Sequence, residues 1–207
     1  MTTGITFNIW PLQQEDCDPL NLSNYVNLNY KEYRRKQKPR LNRSYECNYN
    51  NYAARAKTLA AIKVIKEKML EGEIHKLVVF TVDTEALKSM IKELKPMKAA
   101  SIYKGMGIVK KERRVSRFVS QARNRILICY RNIDDVGKIH NVCNHAIFIH
   151  TSWIEEENLN CIKLLYRDGQ EKPVNIDVMS LTGTKDEQVQ KDRFQSFQAT
   201  FQNSATE

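Results

Sequence analysis

Three short apolar runs constrain this chain most: Lys76–Val82 (K-L-V-V-F-T-V), Arg125–Tyr130 (R-I-L-I-C-Y) and Asn144–His150 (N-H-A-I-F-I-H). A strand with one wet face alternates apolar and polar residues. A strand that is apolar throughout is buried on both faces, which is the habit of parallel sheets covered by helices. The segments between these runs have a helical period instead. Ala53–Leu70 carries Leu59, Ile62, Ile65, Lys66 and Met69 as a stripe and stops at Gly72. Thr84–Leu94 turns Leu87, Ile91 and Leu94 inward and closes at Pro96, where proline ends a helix. Ala99–Tyr103 reads as a short strand, followed by a turn at Lys104–Gly107 and a basic helix over Val109–Ser120 that buries Val115, Phe118 and Val119. Strand and helix alternate, so the expected class is α/β: a mostly parallel sheet with helices on both faces. Sites in such sheets lie beyond the carboxyl ends of the strands. That places Thr81–Thr84, Lys104–Gly107, Tyr130–Gly137 and His150–Trp153 along one rim.

The flanks differ from this core. Residues 1–52 are rich in Asn, Tyr, Gln and charge, with Pro11, Pro19 and Pro39 as breakers. They read as a basic arm with a short strand at Tyr25–Leu28 and a short helix at Tyr30–Lys38. Tyrosines interleaved with Lys31, Arg34, Arg35, Lys36 and Lys38 form a pattern that also binds single strands by stacking and charge. A solvated arm is the simpler reading. The core domain is expected over 53–194, and residues 195–207 read as a Gln-rich tail that frays.

Of the 207 residues, 33 are Lys or Arg and 24 Asp or Glu, a formal charge of +9. A basic excess of that size suits a polyanionic partner, nucleic acid above all. The five cysteines form no C-x-x-C pair, which argues against a disulfide framework and for a reducing compartment. Residues Met1–Trp10 have neither the basic nor the apolar stretch of a signal peptide, and no run reaches the roughly 20 apolar residues of a membrane span. Cys143, His145 and His150 are close in sequence, but His150 has the opposite parity on an extended run, so they make a poor metal set.

Asn158–Gln170 (N-L-N-C-I-K-L-L-Y-R-D-G-Q) reads as an amphipathic helix stopped at Gly169. A strand-like run, Lys172–Leu181, follows it, and then Gly183-Thr184-Lys185-Asp186-Glu187. That order resembles the end of the second RecA-like lobe of Swi/Snf-type helicase-like ATPases. There a strand ends in Trp-Asn-Pro, a helix reads Gln-x-x-x-Arg-x-x-Arg-x-Gly-Gln, and a strand leads to Gly-Thr-Ile-Glu-Glu. Asn160 stands for the Gln, Leu164 for the first arginine and Arg167 for the second, while Gly169 and Gln170 match. The resemblance extends to H-K-L-V-V-F-T as the lobe's first strand and to I-Y-K-G-M-G-I-V-K-K-E-R-R-V-S-R-F as its substrate rim. In the segment Ile126–Ile147, Gly137 and Asn144 match, and Asp134 and Asp135 replace two glycines.

The resemblance implies that Arg167 is the catalytic arginine and that Gly137, Gln170 and Arg167 face the nucleotide. It places Trp153 on the rim that faces double-stranded DNA; Lys104, Lys110, Lys111, Arg113, Arg114 and Arg131 are the candidate phosphate contacts there, with a charged solvent face as the other reading of the helix residues. It also implies ATP with Mg²⁺, but only when a separate first lobe supplies the phosphate-binding loop. No G-x-x-x-x-G-K-[ST] occurs in the chain, so no ATP hydrolysis is expected from it alone. A non-catalytic nucleic-acid-binding or transcription-regulatory module and a protein-interaction scaffold are the alternatives. The Asn- and Lys-rich composition suits an AT-rich genome, such as that of a large DNA virus. The expected location is the nucleus or the site of DNA or transcription in a host cell.

Overall fold

The computed structural model describes residues 4–17, 43–72, 74–103, 105–130, 138–152 and 154–203. Among them six strands form one sheet: β1 (Ile5–Leu12), β2 (Leu77–Thr81), β3 (Ala100–Tyr103), β4 (Ile126–Tyr130), β5 (His145–Phe148) and β6 (Val174–Leu181). The order is β1-β6-β5-β2-β4-β3, and every pairing is parallel. Five α-helices accompany them among the described residues, four between strands and the last after β6: α1 (Arg43–Leu70), α2 (Thr84–Glu93), α3 (Ile108–Ser120), α4 (Glu155–Lys163) and α5 (Lys185–Asn203).

The alternation of side chains along each strand divides the core in two. Val78, Phe80, Leu127, Cys129, Ala146, Phe148, Ile176 and Val178 face one layer, made by α3, α4 and α5. Leu77, Val79, Ile126, Ile128, Ile147, Met179 and Leu181 face the other, made by α1 and α2. This explains why β2, β4 and β5 read as unbroken apolar runs: both faces are covered. Crossovers that move one way along the sheet use one face and those that move the other way use the opposite face, as right-handed connections require.

The two flanks correct the sequence reading. Residues 5–12, assigned to an arm, form an edge strand that pairs with β6 from Ile5–Val174 to Leu12–Leu181. Polar residues and Pro11 hide this strand, which is an edge of the sheet among the described residues, and sheet edges tolerate proline. At the other flank α5 runs through Phe194 to Asn203, so the residues read as a tail are helical that far. Phe194, Phe197 and Phe201 recur at helical spacing, and all three rings pack against Phe7 at centroid distances of 6.0–6.3 Å. The short strand and helix expected within 18–42 lie outside the described residues. In α1 the buried face is Ala56, Ala60, Ala61, Ile62, Ile65 and Met69, while Leu59 points to solvent.

Polar side chains close the helix ends. Asp83 caps α2 by accepting the Ala86 N–H at 2.7 Å. Lys76, from the approach to β2, donates to the carbonyls of Phe118, Val119 and Gln121, so a side chain from elsewhere in the fold satisfies the end of α3. Gly183 turns the chain between β6 and α5 at φ +72°, where a Cβ would stand 2.9 Å from the Gln14 amide nitrogen.

Candidate functional site

The carboxyl ends of the strands form one rim: Leu12, Thr81, Tyr103, Tyr130, Phe148 and Leu181. β2 leaves it toward α2 on one face and β5 leaves toward α4 on the other. The crevice between β2 and β5 is therefore the point where the winding reverses, the general ligand position of such sheets. It is lined by Thr81, Phe148, His150, Ser152, Asn158 and their neighbours, and its cavity is about 10 Å³, room for about one water. Polar contacts close it. Asn158 accepts the Ser152 N–H and donates to the Ser152 carbonyl, both at 2.7 Å, while the Ser152 hydroxyl donates to Glu157 at 2.6 Å.

Behind this crevice runs a buried polar chain. Lys57 Nζ donates to the Met179 carbonyl at 3.0 Å and to Asp186 Oδ2 at 2.9 Å. Asp186 also accepts the Leu181 N–H at 2.8 Å and the Gln190 amide at 3.0 Å, and Thr151 donates to Gln190 at 3.0 Å. Next to it His150 is buried, and its Nδ1 has no hydrogen-bond partner among the described residues. Burial, aided by the Lys57 charge, lowers the His150 imidazole to about 3. Sequence reasoning missed this network. Its signal was present: Lys57, Ala61 and Ile65 share a helical face, which places a lysine among apolar residues.

At the sheet's edge, α3 rises from the rim. Ile108, Val109 and Lys110 are exposed in its first turn, Arg113 and Arg117 are exposed further along, and Lys111 is half-buried. Val109, Arg113 and Arg117 lie four apart on one face with Lys110 beside them, forming an outward basic stripe. Arg114 differs from the others. Its guanidinium turns back to the Ser101 carbonyl and reaches the Ser101 hydroxyl at 3.2 Å, tying α3 to β3. Lys104, Arg131, Gly137 and Trp153 lie outside the described residues.

Arg167 and Gln170 stand at the other end of the sheet. α4 runs back from the carboxyl rim, and the segment after it meets the turn before β5. Gln170 is buried there, its amide donating to the His140 carbonyl at 2.9 Å and to those of Cys143 and Leu165 at 3.2 Å each. In this structure the side chain braces two connections. The helix is also shorter than expected. It ends at Lys163, and hydrogen-bonded turns carry the chain to Gly169, whose φ is +88°. Leu164 and Arg167 therefore do not share a helix face. Leu164 is 5% exposed within the core, and Arg167 is on the surface. Elsewhere, His145 bonds Asp177 at 2.7 Å and Cys143 Sγ points to the Lys76 carbonyl, while burial lifts the Cys143 and Cys161 thiols to about 12.

The six-stranded parallel sheet among the described residues, covered by helices on both faces, is an α/β lobe consistent with the RecA-like fold. Three solved structures share the fold. The C-terminal part of the Fun30 ATPase domain matches with a TM-score of 0.55 and 16% identity, over 69% of this chain and 46% of that one. The SWI2/SNF2 ATPase core domain of Sulfolobus solfataricus matches at 0.65 and 13% identity, over 95% of this chain and 44% of that one. The same organism's SWI2/SNF2 ATPase core in complex with dsDNA matches at 0.62 and 13% identity, over 95% and 45%. The chain thus spans less than half the length of these proteins, and at such identities the likeness establishes the fold. No family model and no curated protein sequence matches the chain.

Proposed function

We propose that this chain is a second RecA-like lobe of Swi/Snf type that holds double-stranded DNA along its carboxyl rim and completes an ATP cleft only with a separate first lobe. The observation that carries the reading is the fold match over 95% of the chain to an ATPase core, one structure of which holds dsDNA. The outward stripe of Lys110, Arg113 and Arg117 supplies the charge that phosphates require. In the ATP role Arg167 is the arginine that acts on nucleotide held by the other lobe, with Mg²⁺ supplied there, and its planar charge suits a transferring phosphoryl group. Gly137 would approach the same nucleotide. Gln170 would support it through the turn it braces.

The test is steady-state ATP hydrolysis. The isolated chain should show none with saturating duplex DNA. With a Walker-type first lobe added, hydrolysis should appear and fall on the order of a thousandfold in Arg167→Ala. Hydrolysis by the chain alone would overturn the reading. A second reading, a non-catalytic DNA-binding or regulatory module, is favoured by Leu164, whose position in the core leaves no second guanidinium on this segment. Duplex binding with no hydrolysis alongside any first lobe supports that module.

A further inference from the structure

The start of α3 carries neither an anionic nor a side-chain cap. Gly107 caps it without a side-chain bond, its first turn contains no acid, and Ile108 and Val109 are 70% and 75% exposed. Two stiff apolar side chains thus stand in solvent directly beside Lys110, at the head of the basic stripe. Their support is firm. Met106, between Gly105 and Gly107, is buried in the core, and its N–H donates to the Tyr103 carbonyl at 3.2 Å. The tip therefore stands on an anchored turn at the edge of the sheet, and Val109 and Ile108 are β-branched and stiff.

We propose that Ile108 and Val109 form an apolar wedge that presses between base steps of a duplex whose phosphates the adjoining basic stripe holds. The proposal rests on the DNA-binding reading above. The partner's chemistry follows from the patch. It must be anionic where it meets Lys110, Arg113 and Arg117, and apolar within reach of two short side chains. Stacked bases between phosphate rows meet both conditions, and apolar wedges flanked by cations are a common way to unstack and kink DNA. Two side chains bury far too little for a stable protein interface, which takes about 800 Å² per partner. A membrane-surface helix needs a free apolar face, and the apolar face of α3, Val115 and Phe118, is already in the core.

The test compares two duplexes of equal length by fluorescence anisotropy. One is uniformly stacked, and the other has a central TA step or mismatch that opens easily, with 2-aminopurine beside it. The whole chain should bind the deformable duplex several-fold more tightly and brighten the probe. Ile108→Ser/Val109→Ser should lose the preference and the brightening while keeping the salt dependence. Lys110→Ala/Arg113→Ala should weaken both duplexes alike and flatten the salt slope. Both pairs are exposed, so circular dichroism should show the variants folded. If the serine variant keeps the preference and the brightening, there is no wedge. If the parent binds no duplex, the DNA-binding reading falls as well. If the parent brightens no probe but binds phosphatidylserine vesicles through Ile108 and Val109, the patch belongs to a membrane and the proposal is overturned.

Discussion

Lys57 and Asp186 form an ion pair in the protein interior, Nζ to Oδ2 at 2.9 Å, with the two side chains 0% and 1% exposed. The pair joins α1, which leads into the central strand, to the first turn of α5. The rest of the coordination is complete. The Met179 carbonyl takes a second Lys57 proton, and Leu181 and Gln190 donate to Asp186. Desolvating two charges costs several kcal/mol each, so such a pair is better understood as a device that fixes one arrangement than as a source of stability.

Breaking it should be expensive. Lys57→Met leaves a buried carboxylate without its counter-ion and should cost about 3–5 kcal/mol in urea unfolding. Asp186→Asn should cost a similar amount, and the double variant clearly less than the sum, because each single change leaves the other charge stranded. Additive losses, or single losses below about 1 kcal/mol, would contradict a coupled pair.

His150 should make the fold acid-sensitive. Its folded value is about 3 against an ordinary 6.5. As pH falls below 6.5 the unfolded chain takes up a proton that the folded chain refuses, so stability declines toward pH 3. At pH 5 the loss should be about 2 kcal/mol, from 1.36 kcal/mol per unit. Lys57 and Arg193 push the imidazole down, and Asp186 opposes them. Asp83, raised by burial, runs in the opposite sense and offsets a share at lower pH. Urea unfolding at pH 7.5 and 5.0 should show the decline in the parent and a smaller one in His150→Leu. An unchanged decline in the variant would remove His150 as its cause.

Because Leu164 stands where the resembled family has its first arginine, the resemblance implies that Leu164→Arg would raise hydrolysis by this chain paired with a first lobe. The structure reverses that expectation, because Leu164 is packed in the core beside α4. An arginine there buries an unpaired guanidinium and should destabilise the fold by about 3 kcal/mol or more. Thermal melting measures it directly. A Tm within a degree or two of the parent would show that this position reaches solvent after all.

Phe197→Ala should cost about 3–5 kcal/mol, since its ring packs between Phe7 and Phe148. Truncation after Phe194 should be worse still. A fully folded truncated chain would show α5 to be dispensable.

The parts of the fold most legible in the sequence were those buried on both sides. Val78, Val79 and Phe80 allow no other strand type, and Val115 and Phe118 fix the inward face of α3. The edges were harder to read. β1 shares its face with solvent and Pro11, so its period is blurred, and only pairing with β6 makes it a strand. Phe194, Phe197 and Phe201 recur at helical spacing, but the glutamines around them made the segment read as a tail without an apolar stripe. For the site, spacing located the basic stripe on α3 but could not separate Arg113, which points outward, from Arg114, which Ser101 holds. That distinction depends on where β3 lies. Leu164 and Arg167 fit a single helix by spacing. Hydrogen-bonded turns after Lys163 and the positive φ of Gly169 end that helix early, a choice made by the tertiary contacts of Gln170 with the turn before β5.

The proposed hold of the carboxyl rim on duplex DNA through α3 is tested most directly by the salt dependence of binding. The logarithm of the binding constant should fall linearly with the logarithm of salt concentration, at about 0.9 per phosphate neutralised. Lys110→Ala/Arg113→Ala/Arg117→Ala should reduce the slope by about 2 to 3 and weaken binding to unrelated duplexes equally. A parent whose affinity is the same at low and physiological salt, or a triple variant with the parent's slope, would contradict it.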